Sequence, residues 1–410
     1  MKKILSLIAV LSLATACIYP YQPDLEDAPE GVLVVDGNLV IGEQSVIRIG
    51  FMSSLWPKTT TPSSPIFYDH DYASVIPRVW AENDGGEVYE GTPGTGGNQW
   101  LYSSSSYYSP NTPYVIHTEN APKDRSYRVC VQVGDLLYSS DWVKPLAPPI
   151  IKKITFKASK PNDGGIVTVS VTLDGGSEST GYVLLSFDET WRFHADYYPN
   201  YEYDPRTNTV SSRTSSWDRY WCWKTNNPGT QLPVDYTAMA GSGLKEYPVQ
   251  TFSRFDNRNH QRYSIQVKAR TIDKETYKYL RHLEESTESG DNLFTPNPGE
   301  IAGNLRCETD PTQMVLGYVT VAINASLRAY NNSQYLLSRA NSPYDLYYPL
   351  QNGEDGGWLA FYQMGFLPLI ENTLPDPDPN YGPYGWGGAP CYDCIAAGGT
   401  QEKPDFWEDK

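Results

Sequence analysis

The sequence predicts a mainly β protein, an N-terminal β-sandwich followed by a second β-rich domain that carries one amphipathic helix. Three observations lead there. The composition favours strands and ordered loops, with 32 tyrosines, 11 tryptophans, 33 glycines and 32 prolines against 5 methionines. Apolar and polar residues alternate with period two in several segments, most plainly where Tyr127, Val129, Val131 and Val133 are set against Arg128, Cys130 and Gln132. One stretch, residues 273–289, changes to a helical period.

The first seventeen residues read as a secretory signal. Lys2 and Lys3 are followed by an apolar run from Ile4 to Leu13 and by the small residues Ala14-Thr15-Ala16 before Cys17. The run is about ten residues, whereas a helix crossing a bilayer needs roughly 20, so cleavage rather than retention is expected. A mature chain starting at an acylated Cys17 would be held to a membrane by its lipid. Ala14-Thr15-Ala16 is also an ordinary A-x-A cleavage site, which would release a soluble protein. Residues 17–29 are rich in proline and acid and read as an extended tether.

A chain of 410 residues suits two domains or one elaborated β domain. Its net charge is −16, and removing Lys2 and Lys3 takes it to −18. Such a surface repels phosphate backbones, which argues against a nucleic-acid partner.

Leu33–Val35 and Val46–Ile49 read as the strands of a hairpin, with turn residues at Asp36-Gly37-Asn38 and Gly42-Glu43. Residues 57–65 and 91–97 read as loops from their Thr, Ser, Pro and Gly content. The alternation at 127–133 points Cys130 away from the apolar face. Lys144-Pro145-Leu146-Ala147-Pro148-Pro149 cannot supply a full ladder of donors and reads as a link. The domain boundary is placed there, with residues 30–146 as the sandwich and 147–410 as the second domain. Strands are then expected at 167–173, 182–187, 263–267 and 314–323. Asp273 can cap a helix in which Tyr277, Leu280 and Leu283 recur, Arg281 can pair with Glu285, and Gly290 stops it. Beyond Ser342 the chain becomes a tail rich in Gly, Pro and aromatic residues.

Cys130, Cys222, Cys307, Cys391 and Cys394 remain after Cys17, an odd number, so at least one thiol stays free or pairs outside the chain. Cys222, Cys307, Cys391 and Cys394 are the candidates for structural disulfides, because the tail needs fastening. Cys391-Tyr392-Asp393-Cys394 lacks the second pair of a zinc ribbon and the βαβ setting of a redox motif. None of the five histidines forms an H-E-x-x-H site, and there is no G-x-S-x-G, Walker loop or dinucleotide fingerprint. No catalytic residue, metal or cofactor is therefore assigned, and no enzymatic activity is expected. Asp376-Pro377-Asp378 reads as a rigid acidic loop.

The aromatic loops are the candidate binding elements: Trp100, Tyr107 and Tyr108; Tyr198 and Tyr201; Trp217, Tyr220 and Trp221; Tyr384 and Trp386. Flat amphipathic rings stack on sugars or peptide side chains at low entropic cost. The alternative is that they cover sheet faces and pin long loops.

Asp188-Glu189-Thr190-Trp191, Cys222-Trp223, Tyr263-Ser264-Ile265, Asn297-Pro298, Gly303-Asn304, Val315-Leu316-Gly317-Tyr318, Cys391-x-x-Cys394, Gly398-Gly399 and Lys403-Pro404-Asp405-Phe406-Trp407 together resemble a Bacteroidota outer-membrane lipoprotein family. That family is known as a domain of unknown function, and the similarity runs from Leu33 to Trp407. The resemblance implies an outer-membrane lipoprotein facing the cell exterior that accompanies a TonB-dependent, SusC-like barrel transporter as a ligand-capturing, lid or scaffold subunit. A glycan or peptide is the ligand class it leaves open. Two alternatives from other classes are a surface hydrolase acting on glycan or peptide and a structural subunit of an outer-membrane assembly complex.

Overall fold

The computed structural model describes residues 32–51, 77–94, 112–159, 165–175, 181–239, 241–254, 256–259, 261–289, 303–332, 351–352, 357–371 and 383–408. Cys17, the leader and tether, Trp100, Tyr107, Tyr108 and Asp376 to Asp378 lie outside the described residues.

The first strands are β1 (Leu33–Val40), β2 (Gln44–Phe51), β3 (Arg78–Asn83), β4 (Val88–Pro93), β5 (Thr112–His117), β6 (Tyr127–Val133) and β7 (Leu136–Ser140). After the proline-rich link come β8 (Ile151–Ala158), β9 (Ile166–Leu173), β10 (Tyr182–His194), β11 (Tyr201–Asp204), β12 (Thr209–Ser212), β13 (Trp221–Asn226), β14 (Leu232–Asp235), β15 (Tyr247–Ser253) and β16 (Arg262–Thr271). Helix α1 (Lys274–Ser289) precedes β17 (Leu305–Cys307), β18 (Val315–Ala322), β19 (Asn324–Asn332) and β20 (Gln351–Asn352). Helix α2 (Trp358–Gln363), β21 (Leu367–Glu371), β22 (Tyr384–Gly387) and helix α3 (Ala389–Tyr392) complete the described chain. The mainly β class is as the sequence predicts.

Nine strands wrap one core in the order β17-β7-β6-β3-β4-β5-β2-β1-β18. Alternate residues of each strand, among them Val35, Ile47, Ile49, Val79, Ile116, Tyr127, Val129 and Val131, meet inside it. The corner is turned by β4, which pairs with β3 through Val88–Glu90 and with β5 through Gly91–Pro93. Gly91 sits at the crossing, where a Cβ would lie 2.7 Å from the Val79 carbonyl oxygen. The loop expected from residue 91 is thus a strand as far as Pro93; glycine there serves close backbone approach rather than a turn. Cys130 does point away from the Val129/Val131 side, yet it is buried.

Residues 30–146 do not complete this unit. Its two end strands, β17 and β18, come from far along the chain, and β1 runs parallel to β18 with Leu33 opposite Val315 and Val40 opposite Ala322. A parallel pair needs a long crossover, and here the crossover contains nearly all of the second unit. The two ends of the sheet are joined by a side chain. Asn304 donates from Nδ2 to the Val319 carbonyl (2.8 Å) and accepts from the Val319 N–H at Oδ1 (2.9 Å), so its amide mimics a strand residue. Gly303 and Gly317 let the backbones close up: a Cβ on Gly317, whose φ is +103°, would lie 2.0 Å from the Val35 carbonyl oxygen.

The second unit is a sandwich. A sheet ordered β13-β10-β16-β19, with β14 also on β10, faces a sheet ordered β15-β9-β8. Val167, Val169, Val171, Val183, Leu185, Phe187, Ile265 and Val267 fill the space between. In the helix α1, Asp273 caps the start by accepting from the Thr276 N–H at 2.7 Å, as its position predicts. Its contacts to the strands come from Tyr277, whose ring meets Tyr182 at 5.0 Å, and Tyr279, which stacks on Tyr318 at 4.4 Å. The apolar repeat read at 277, 280 and 283 thus packs through Tyr277, while its last member, Leu283, is exposed. Two short helices, α2 and α3, add to the single helix expected.

Candidate functional site

The aromatic loops gather at the end of the second unit remote from α1. β11 and β12 pair as a hairpin beside the small sheet β20-β22-β21. Tyr203, Trp358 and Trp386 form its core, with Phe361, Phe366 and Tyr384 packed on them. Trp386 is fully buried, and Tyr384 meets the Tyr201 ring at 5.3 Å and Trp358 at 5.9 Å. Trp386 is therefore a core residue and not a contact for a ligand. A Gly-rich tail without long apolar strands buries surface most readily through large rings, which is why Trp falls where binding was expected. Trp217 is also tied down: its indole N–H donates to the Tyr392 carbonyl (2.8 Å), its ring meets Tyr392, and Arg213 lies over it.

Four rings remain together at the surface. Tyr198, which is 37% exposed, meets Tyr220 edge-on at 5.2 Å; His194 stacks on Tyr220 at 4.9 Å; and His194 and Tyr220 both meet Trp221, at 4.9 and 5.5 Å. The Arg192 guanidinium lies between Trp221 and Trp223, 5.1 and 5.2 Å from their centroids. Partial burial and the nearby Asp196 carboxylate raise the Tyr220 hydroxyl above its ordinary pKa, so it stays a neutral donor. The patch offers flat faces, one imidazole, two phenols and one cation. Of the expected aromatics it unites Tyr198, Tyr220 and Trp221; His194 and Arg192 were not expected, although both continue the outward alternation of β10. Leu359, Tyr362 and Met364 of the α2 region are also exposed.

Cys222 and Cys394 form a disulfide across a sequence separation of 172. Cys307 and Cys391, the other two candidates, are free buried thiols, as is Cys130. Burial raises the Cys391 thiol, and it pushes that of Cys130 up to about 12, so both stay protonated and inert. Cys307 and Cys130 cannot pair because they lie opposite Tyr138 and Ser139, adjacent residues of β7 that face opposite ways.

The most concentrated buried charge is Glu189, fully enclosed between the sheets of the second unit. One carboxylate oxygen accepts from Asn226 Nδ2 (2.7 Å) and Arg258 Nη2 (2.8 Å), the other from the Tyr263 hydroxyl (2.8 Å) and Arg258 Nε (3.2 Å). Arg258 also pairs with Asp256 at 2.8 Å and lies over the Trp191 ring. Burial alone would raise the Glu189 pKa, but the donors of Arg258, Asn226 and Tyr263 outweigh it and the net direction is down. A carboxylate with all its lone pairs engaged is a fastening and not a proton carrier. Its signal stood in the sequence: Leu185, Phe187, Trp191 and Phe193 are the inward residues of β10, and Glu189 falls in phase with them.

Among the described residues no group of three or more His, Cys, Asp or Glu is placed to hold a metal ion, and no helix is long and apolar enough to cross a membrane. A cavity of about 80 Å³, lined by Lys144, Thr271, Asp273, Thr276, Asn304 and Tyr318, has room for a few waters but not for a sugar ring.

No curated protein matches the chain. A family model described as "Domain of unknown function (DUF4249)" matches residues 18–328. The match takes in both large units but stops short of Cys391, Gly398, Gly399 and the 403–407 segment, so the likeness expected as far as Trp407 is shown only to residue 328. With its two interlocked β units and Glu189 fastening inside that span, the chain belongs to the DUF4249 family.

Proposed function

We propose that the protein is a non-enzymatic lipoprotein of the outer membrane, anchored through Cys17 and facing the cell exterior. It works as an accessory subunit of a barrel transporter of the TonB-dependent, SusC-like type. The leader carries this reading: a basic start, a short apolar run and small residues directly before Cys17 fit a lipid attachment point, with a segment rich in proline and acid after it. The Tyr198–Tyr220–His194–Trp221 patch supports it, as a rigid aromatic surface of the kind that meets a glycan, a peptide or another protein. The test is an affinity purification from gently solubilised membranes through a C-terminal tag, with Cys17→Ala as the control. A barrel protein should co-elute near stoichiometry with the anchored form and be lost with the variant. Elution of the anchored protein alone would remove the transporter from the reading.

A further inference from the structure

The outward face of the β13-β10-β16-β19 sheet is cationic in an acidic protein. Paired residues across these strands share a face. Arg192 stands opposite Arg262 and Trp223, Thr190 opposite Ser264 and Thr225, and Arg328 opposite Gln266. Arg192, Arg262, Arg328, Lys268 and Arg270 occupy this face with two strand carboxylates, Asp235 at the β14 edge and Asp188, which is already paired with Lys268 at 2.7 Å. Like charges directly opposite, as at Arg192 and Arg262, are unfavourable unless something anionic or aromatic answers them.

What answers them is the end of the chain. Trp407 is 4% exposed and packs between Trp223 (6.4 Å), Tyr330 (6.0 Å) and the Arg262 guanidinium (5.9 Å). Arg328 lies 3.5 Å over the Phe406 ring, the Tyr330 hydroxyl donates to the Phe406 carbonyl at 2.5 Å, and Arg262 donates to the Glu408 carbonyl. The main chain takes little part. Thr400 bridges to Trp223 with bonds of 2.8 Å each way, but from residue 401 to 408 no backbone-to-backbone hydrogen bond reaches the rest of the protein among the described residues. The segment is fastened upstream by the Cys222–Cys394 disulfide and thereafter leans on side chains.

We propose that this face is a peptide-recognition groove, that residues 403–408 plug it in cis, and that the plug is displaceable by a partner segment of the same chemistry. That chemistry is an aromatic residue followed by carboxylates, as in Phe406-Trp407-Glu408-Asp409. The indole fills the slot between Trp223 and Tyr330, and beyond it the Arg262 guanidinium holds the Glu408 carbonyl. This does not rest on the transporter reading above.

The test uses the folded protein with a protease site inserted between Glu402 and Lys403. After cleavage the eight-residue peptide should leave on gel filtration, with a change in tryptophan emission. A fluorescently labelled peptide of residues 403–410 should then bind the emptied protein at least tenfold more tightly than the uncleaved one. Peptides carrying Trp407→Ala, or Glu408→Gln with Asp409→Asn, should each bind at least tenfold more weakly than the native peptide. A cleaved segment that neither leaves nor exchanges with labelled peptide over hours overturns the proposal, because the tail is then a fixed part of the fold. So does an emptied protein that takes up no peptide, or one that binds all three peptides equally. Near-UV circular dichroism of the cleaved protein separates loss of binding from loss of fold.

Discussion

Glu189 and Arg270 are two buried charges with opposite consequences. Glu189 is met by donors on both oxygens, so removing it with Glu189→Ala strands Arg258 and the Tyr263 hydroxyl and should cost about 3–5 kcal/mol, read from urea unfolding. Its pKa is lowered on folding, so the stability it adds is complete above the ordinary value of 4.5 and is lost as pH falls through the depressed folded value. The melting temperature should therefore drop on acidification below about pH 4.5, and the drop should be shallower in Glu189→Gln. Arg270 is 5% exposed; among the described residues its Nε and Nη1 have no hydrogen-bond partner, and Nη2 reaches only the Ser186 hydroxyl at 3.5 Å. Burial pushes its pKa down to about 10, meaning that at neutral pH the folded state carries the cost of a charge it scarcely compensates. Arg270→Met, similar in volume, should hold or raise the melting temperature by calorimetry, and a clear loss would show that Arg270 holds more than its neighbours reveal. Neither role is readable from residue type. Phase within the strand marks Glu189 as inward, but Asn226, Gln250 and Arg258 reach it from other segments, and no local pattern announces that convergence.

At the scale of the element, the seam and the disulfide decide stability. Asn304→Ala leaves the Val319 N–H and carbonyl unpaired at the join of β17 and β18 and should cost about 2–3 kcal/mol in the same unfolding assay. Gly317→Ala should cost more than about 1 kcal/mol, since a positive φ and the Val35 carbonyl both oppose a side chain there. Reduction of Cys222–Cys394, or its replacement by serine at both positions, opens a long loop and should lower stability by up to about 4–5 kcal/mol on the chain-entropy account. Alkylation in denaturant without reductant should label Cys130, Cys307 and Cys391 and spare the bonded pair. The strands were largely legible, because period-two alternation is written into each one. Less legible were β4, where glycine permits crossing strands instead of ending one, and the two short helices, whose single turns are too brief to show a period. The disulfide partner was legible as a member of a set but not as a pair, since pairing depends on where the tail comes back to β13. For the same reason Trp386 passed for a binding residue: a ring in a Gly-rich tail looks identical in sequence whether it faces solvent or a small core of other rings.

At the scale of the molecule, the domain boundary is where sequence reading and architecture part. After the proline-rich link at 144–149 the chain enters β8, but it later crosses back, and β18 returns to stand beside β1 before passing directly into β19 of the second unit. The first unit therefore depends on strands that come after most of the second, and residues 30–146 expressed alone should fail to give a cooperative unfolding transition, whereas residues 30–408 should give one; scanning calorimetry of both decides it. There is a further consequence for the order of events in a cell. A polypeptide emerging from a ribosome delivers Leu33 first and Val315 some 280 residues later. Until then one side of β1 has no neighbour, and the first core stays open to water. Pairings so distant in sequence form slowly. The first core therefore closes only after β18 has been made, and until then β1 keeps a bare edge open to mispairing.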